Sequence, residues 1–110
     1  MPPPDAPGWQ QSAVVWLLDH CPSEYRQYAA WRRHPLALAW LTRRHLAAQV
    51  EAMREGYRGI RVDLGEQIGP EGVHDVLASL ELEGARLVAA QRAAGLVYEA
   101  LDGYSFVPRL

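Results

Sequence analysis

The sequence predicts an all-α fold: a long antiparallel helical hairpin with one or two short N-terminal helices packed near its open end. Three observations predict it. Leu46, Val50, Met53, Tyr57, Ile60, Leu64 and Ile68 recur at helical steps of three and four, a spacing that keeps one apolar stripe facing a partner helix. A second stripe follows through Val73, Leu77, Leu80, Gly84, Leu87, Ala94, Tyr98 and Leu101, with Gln91 its one polar member. Between them stands Gly69-Pro70. Glycine ends a helix by taking a left-handed conformation, and proline begins the next one. A link this short forces the two rods, residues 36–68 and 70–102, to run antiparallel. Each would be roughly 50 Å long.

The elements follow in order. Residues 1–8 hold four prolines and are expected to form a flexible tail, because proline removes a donor and fixes φ. Residues 9–103 form the helical domain, and 104–110 a short C-terminal tail that either folds back on it or serves as a short extended ligand for a partner. Gln10 to His20 reads as a short helix, buried on most sides because Ala13 to Leu18 is an unbroken apolar run. Pro22 stops it. Ser23 is suited to cap a following helix through Arg33, which would set Tyr25 and Tyr28 on one side. Pro35 breaks that helix and starts the first long one. From Leu87 to Leu101 the second long helix is apolar nearly all round, so the N-terminal helices should cover it. Two features oppose a regular helix near residue 60. Gly56, Gly59 and Gly65 each cost about 1 kcal/mol against alanine, and Ile60 to Leu64 alternates like a strand. The uninterrupted stripe favours the helix, with room for a kink at Gly56 or Gly59.

Composition narrows the function classes. The chain has 110 residues, 49% hydrophobic and 22% charged, with a net charge of −2. That is one domain, able to bury a core without metal or disulfides. The longest apolar runs are six residues, against about 20 for a membrane span, so no membrane role is expected. Met1-Pro2-Pro3-Pro4-Asp5 has neither the basic start nor the apolar stretch of a secretory signal. A single cysteine, Cys21, fits a reducing, cytoplasmic setting.

Charge is unevenly spread. From Arg26 to Val50 there are five arginines, two histidines and no acid, whereas residues 49–110 carry ten acids against six arginines. Within the basic window Trp31-Arg32-Arg33-His34 echoes Thr42-Arg43-Arg44-His45 at a spacing of eleven, almost three helical turns, so a continuous helix would place both on one face. Arg32, Arg33, Trp40, Arg43 and Arg44 are the candidate partner- or anion-binding residues. Guanidinium forks beside aromatic rings suit protein hot spots and nucleic acid alike. A pI near 6.0 argues against a dedicated nucleic-acid binder.

Other motifs are thinner. Glu71-x-x-His74 matches the Glu-x-x-His element of di-iron bundles. Glu71 is also the residue expected in a first helical turn as a dipole partner, and Glu81 and Glu83 lie off the apolar stripe. Gly56-Tyr57-Arg58-Gly59 matches the Gly-x-x-Gly loop of KH nucleic-acid domains, which require a three-stranded sheet absent from this pattern. No nucleophile elbow, phosphate loop or dinucleotide fingerprint occurs, and Cys21 beside His20 reads as a small buried hydrophobe. The expectation is a non-enzymatic helical protein–protein interaction module without a cofactor. It would self-associate as a homodimer through Val50, Met53, Tyr57, Ile60, Leu64, Val73, Leu77 and Leu80. The acidic tip, Glu66 to Glu83, would meet the basic window of a second copy. The alternatives are another protein partner, a nucleic-acid-binding or regulatory protein using the arginine face, and a metal-binding hairpin through Glu71 and His74.

Overall fold

A computed structural model describes residues 6–106, with side chains through Gly103. The tail readings for 1–5 and 107–110, and the docking of the side chains from Tyr104 on, lie outside the described residues. Helix α1 spans Trp9–Asp19, a 3₁₀ turn spans Ser23–Gln27, and α2 spans Ala29–Arg33. The helical segment Pro35–Phe106 departs from helical geometry only at Gly69, which divides it into α3 (35–68) and α4 (70–106). No strand occurs among the described residues. The molecule is a rod of 63 × 27 × 19 Å.

The arms fold back on each other as the two stripes predict. Tyr57 Oη donates to Glu81 across the pair at 3.0 Å. Arg43 lies over the Tyr98 ring at 4.8 Å. Leu46, Val50, Leu87, Ala90 and Ala94 form one buried cluster between the arms. Partnered numbers sum to nearly the same value, which is the register of an antiparallel pair centred on Gly69-Pro70.

Gly69 turns the chain, but not as a left-handed helix cap. Its φ of 75° and ψ of 171° fall in a region open almost only to glycine. Extended ψ also suits the residue before proline, where the α region is crowded by the proline ring. Gly72 has a different role. A Cβ there would lie 3.0 Å from Ile68 Cβ, so any larger residue requires the first turn of α4 and the end of α3 to separate by a few tenths of an ångström.

The arm around residue 60 is a regular helix. Gly56, Gly59 and Gly65 cause no kink, and the Gly-x-x-Gly motif lies in helix rather than in a loop. A Cβ on Gly59 would meet nothing closer than Asp63 Oδ2 at 3.8 Å. Gly59→Ala is therefore expected to stabilise the fold by about 0.5–1 kcal/mol. A thermal melt followed at 222 nm should shift upward by roughly 2–8 °C.

Three other boundaries differ from the sequence reading. Ser23 does not cap a helix: Pro22 holds that position with extended backbone, and no side-chain cap forms. The stretch 23–33 is not one helix, because Tyr28 is extended (φ −105°, ψ 106°) and separates the 3₁₀ turn from α2. Tyr25 and Tyr28 consequently part company. Tyr25 stacks on Trp31 at 5.5 Å, whereas Tyr28 stays in solvent. At the other end the helix runs on to Phe106, since Gly103 keeps a negative φ and so does not end it.

Helix α1 covers the open end of the hairpin. Trp9, Ala13, Val14, Leu17 and Leu18 pack with Leu38, Ala39, Val97 and Leu101, and Trp16 touches both clusters. Thr42 is the one fully buried polar side chain of the described core. Its hydroxyl donates to Leu38 O at 2.7 Å. Having spent its proton there, it accepts from the Cys21 thiol at 3.1 Å. Burial pushes that thiol above its ordinary pKa, against the opposing pull of the Arg26 charge.

Candidate interaction surface

The two ends of the rod are chemically unlike. At the base, near the open end, Trp40, Arg43, Arg44, Gln91, Arg92 and Gly95 line a groove of about 430 Å³ between α3 and α4. Arg44 lies over the Trp40 ring at 4.5 Å and Arg43 over Tyr98. Such stacking holds a guanidinium plane in place while leaving its N–H edge available. None of the ion pairs among the described residues involves Arg43, Arg44 or Arg92. Trp40 remains 48% exposed. No residue of α1 lines this groove.

The sequence window is only partly assembled. Arg43, Arg44 and Trp40 meet as expected, but Arg32 and Arg33 are elsewhere. His34 ends α2 with φ −130° and ψ 70°, so the eleven-residue echo falls on two different elements and gives no shared face. Arg32 donates to the Arg26 carbonyl at 3.0 Å. Arg33 borders a separate depression of about 580 Å³ with Gln10, His34, Pro35 and Leu101. Arg92, which completes the groove, is far outside the window. Antiparallel pairing of position 92 with positions near 47 was the signal that could have found it.

At the tip, a second groove of about 840 Å³ lies between the arms, with Arg61, Val62, Asp63, Glu66, His74 and Leu77 among its lining. From residue 61 to 75 one arginine faces four carboxylates, Asp63, Glu66, Glu71 and Asp75. None of the ion pairs among the described residues involves any of the five.

The expected self-association stripe is divided by the fold. Val50 and Val73 are buried between the arms, and Met53, Ile60, Leu77 and Leu80 are half-buried there. Tyr57 and Leu64 are 43% and 42% exposed, and Ile68 is exposed beside them. Two helices alone leave each other's edges open, and no third element among the described residues reaches this half. Donation to Glu81 and the nearby carboxylate charge raise the Tyr57 hydroxyl pKa. Glu51 pairs with Arg54 and Arg58 near mid-rod.

Glu71 and His74 are both exposed at the tip. Among the described residues no group of three or more His, Cys, Asp or Glu side chains is arranged to hold a metal ion. His20 and Cys21 do not bond to each other: His20 Nδ1 donates to Trp16 O at 2.9 Å, and Cys21 pairs with Thr42. No helix among the described residues is long and apolar enough to cross a membrane. Comparisons with family models, curated proteins and solved structures give no match.

Proposed function

We propose that this chain is a non-enzymatic interaction module that self-associates as a homodimer through the outer half of its hairpin. The supporting observation is the apolar surface left open there: Tyr57, Leu64 and Ile68 on the inner stripe, and Val62 at 83% exposure. Large apolar side chains clustered on a two-helix arm are unusual on a lone monomer and mark contact surfaces. A flank 19 Å deep and about 25 Å long over that half offers on the order of 500 Å² per partner, so reaching the roughly 800 Å² of a standard interface takes in part of the flank toward the base. Two hairpins laid together would give each arm the third and fourth neighbours of a helical bundle.

Sedimentation velocity or light scattering tests this directly. A dimer is expected at micromolar protein in low salt. Leu64→Glu, which places a charge where the copies meet, should weaken the dimer at least tenfold while leaving helicity unchanged. A wild-type chain that stays monomeric at tens of micromolar would sink the proposal. Nucleic-acid binding through the arginine groove is the second reading, favoured by the three unpaired guanidiniums beside an exposed tryptophan.

A further inference from the structure

We infer that the copies associate antiparallel, with the acidic tip of each hairpin seated in the Trp40–Arg43–Arg44–Arg92 groove of the other. This rests on the self-association proposed above and specifies its contact.

Three observations lead there. First, the two grooves share two rows of residues along one flank of the rod, the tip groove also reaching Asp63 on the other side of α3. Seven-residue steps connect Trp40, Ala47, Arg54, Arg61 and Ile68 along α3, and Gly95, Val88, Glu81 and His74 along α4. Residues seven apart nearly eclipse on a helix, drifting only about 20° per repeat. The base groove draws on Trp40, Ala47 and Gly95, and the tip groove on Arg61 and His74, which belong to the same two rows. Helix α1 packs on Leu38, Ala39, Val97 and Leu101 instead, and contributes to the lining of neither groove.

Second, the charges left unpaired within the chain are complementary between its ends. Arg43, Arg44 and Arg92 have no carboxylate partner at the base, and Asp63, Glu66 and Glu71 have no basic partner at the tip. They cannot meet within one molecule, because about 20 residues of straight helix, roughly 30 Å, separate them. A two-fold axis near residue 55 brings Arg43 and Arg44 of one copy level with Asp63 and Glu66 of the other, with Arg92 about one and a half turns of α4 from Glu71. The same operation repeats the contact at the far end, as an isologous interface requires.

Third, the middle of that flank is electrically quiet. Glu51 pairs with Arg54 and Arg58, and Glu55 brings the charged side chains from 51 to 58 to zero net charge, so like charges near the axis do not oppose the approach. Tyr57 and Leu64, the half-exposed members of the stripe, then sit between the two charged ends. A parallel pairing would instead set tip against tip and base against base, repelling at both.

The test is a charge exchange. A base variant carries Arg43→Glu, Arg44→Glu and Arg92→Glu; a tip variant carries Asp63→Arg, Glu66→Arg and Glu71→Arg. Each alone should dimerise at least tenfold more weakly than wild type, and an equimolar mixture should recover a heterodimer. An Arg→Lys version of the base variant should retain most of the affinity, and circular dichroism checks that each chain folds. The tip variant changes only exposed side chains, so it reads the same contact if the base variant misfolds. Spin labels at Gln67→Cys, in a Cys21→Ser background, measure the register. Antiparallel pairing puts them about 35–40 Å apart, whereas parallel pairing would bring them within about 20 Å, given helix spacings of 8–10 Å.

Recovery in the mixture with the long distance supports the inference. A dimer indifferent to both reversals, or the short distance, overturns it while leaving self-association intact. A monomer under all conditions removes both. Salt-sensitive binding of a single-stranded oligonucleotide, lost in the base variant while dimer affinity is unchanged, would also overturn it and assign the groove to nucleic acid.

Discussion

Leu38→Ala is expected to destabilise the fold by about 2–5 kcal/mol, the range for removing a fully enclosed leucine. Leu38 is 0% exposed and belongs to the cluster that joins α1 to both arms. Its neighbours Leu17 and Ala39 are equally enclosed, so the space left behind cannot fill from solvent or from a loose surface chain. For a domain with a total stability of about 5–15 kcal/mol, that loss should lower the melting temperature by roughly 10–30 °C. The comparison is Leu96→Ala. Leu96 is 68% exposed, and its truncation should change stability by no more than about 0.5 kcal/mol. Equal effects at the two sites in a chemical denaturation series would mean that α1 does not seal this end.

Gly69→Ala carries the second large effect, about 1–3 kcal/mol of backbone strain. Nothing lies within 4 Å of a Cβ placed there, so the cost comes from conformation and not from crowding. At φ 75° and ψ 171° any side chain collides with its own backbone, and Pro70 denies the preceding residue the α region as an escape. Gly84→Ala is the control, because its Cβ would also meet open space but in a helix. It should be neutral or stabilising. Denaturant midpoints measured for the two variants must therefore move in opposite directions, or Gly84→Ala not at all.

The hairpin was legible in the sequence because one physical signal, apolar recurrence at three and four, runs through both arms without interruption. Gly69-Pro70 marked the reversal, and Pro35 the start of α3. What escaped is short or conformational. Tyr28 takes extended backbone for reasons of tertiary fit that no residue type announces. The helical domain was bounded at Gly103, yet a glycine ends a helix by taking a positive φ, and this one does not. Gly56, Gly59 and Gly65 weaken a helix by propensity alone, and packing against Leu80 and its neighbours outweighs that weakness. For the surface, Trp40, Arg43 and Arg44 were visible as a cluster, whereas Arg92 joins them through a partner arm nearly fifty residues on. Arg32 and Arg33 were misplaced because similarity of two tetrapeptides says nothing about the bend between them.

The reversal at Gly69-Pro70 also fixes the sequence of assembly. Contacts nest around that one point, so each pair of residues that closes shortens the loop the next pair must close. The entropy lost at any step stays small, although Leu46 and Ala94 are far apart along the chain. Helix α1 has no such advantage. Its seat is built from residues near 38 and near 100, which share a surface only after the arms have zipped down to them. The N-terminal helix is therefore a latch, fitting last and onto something already made.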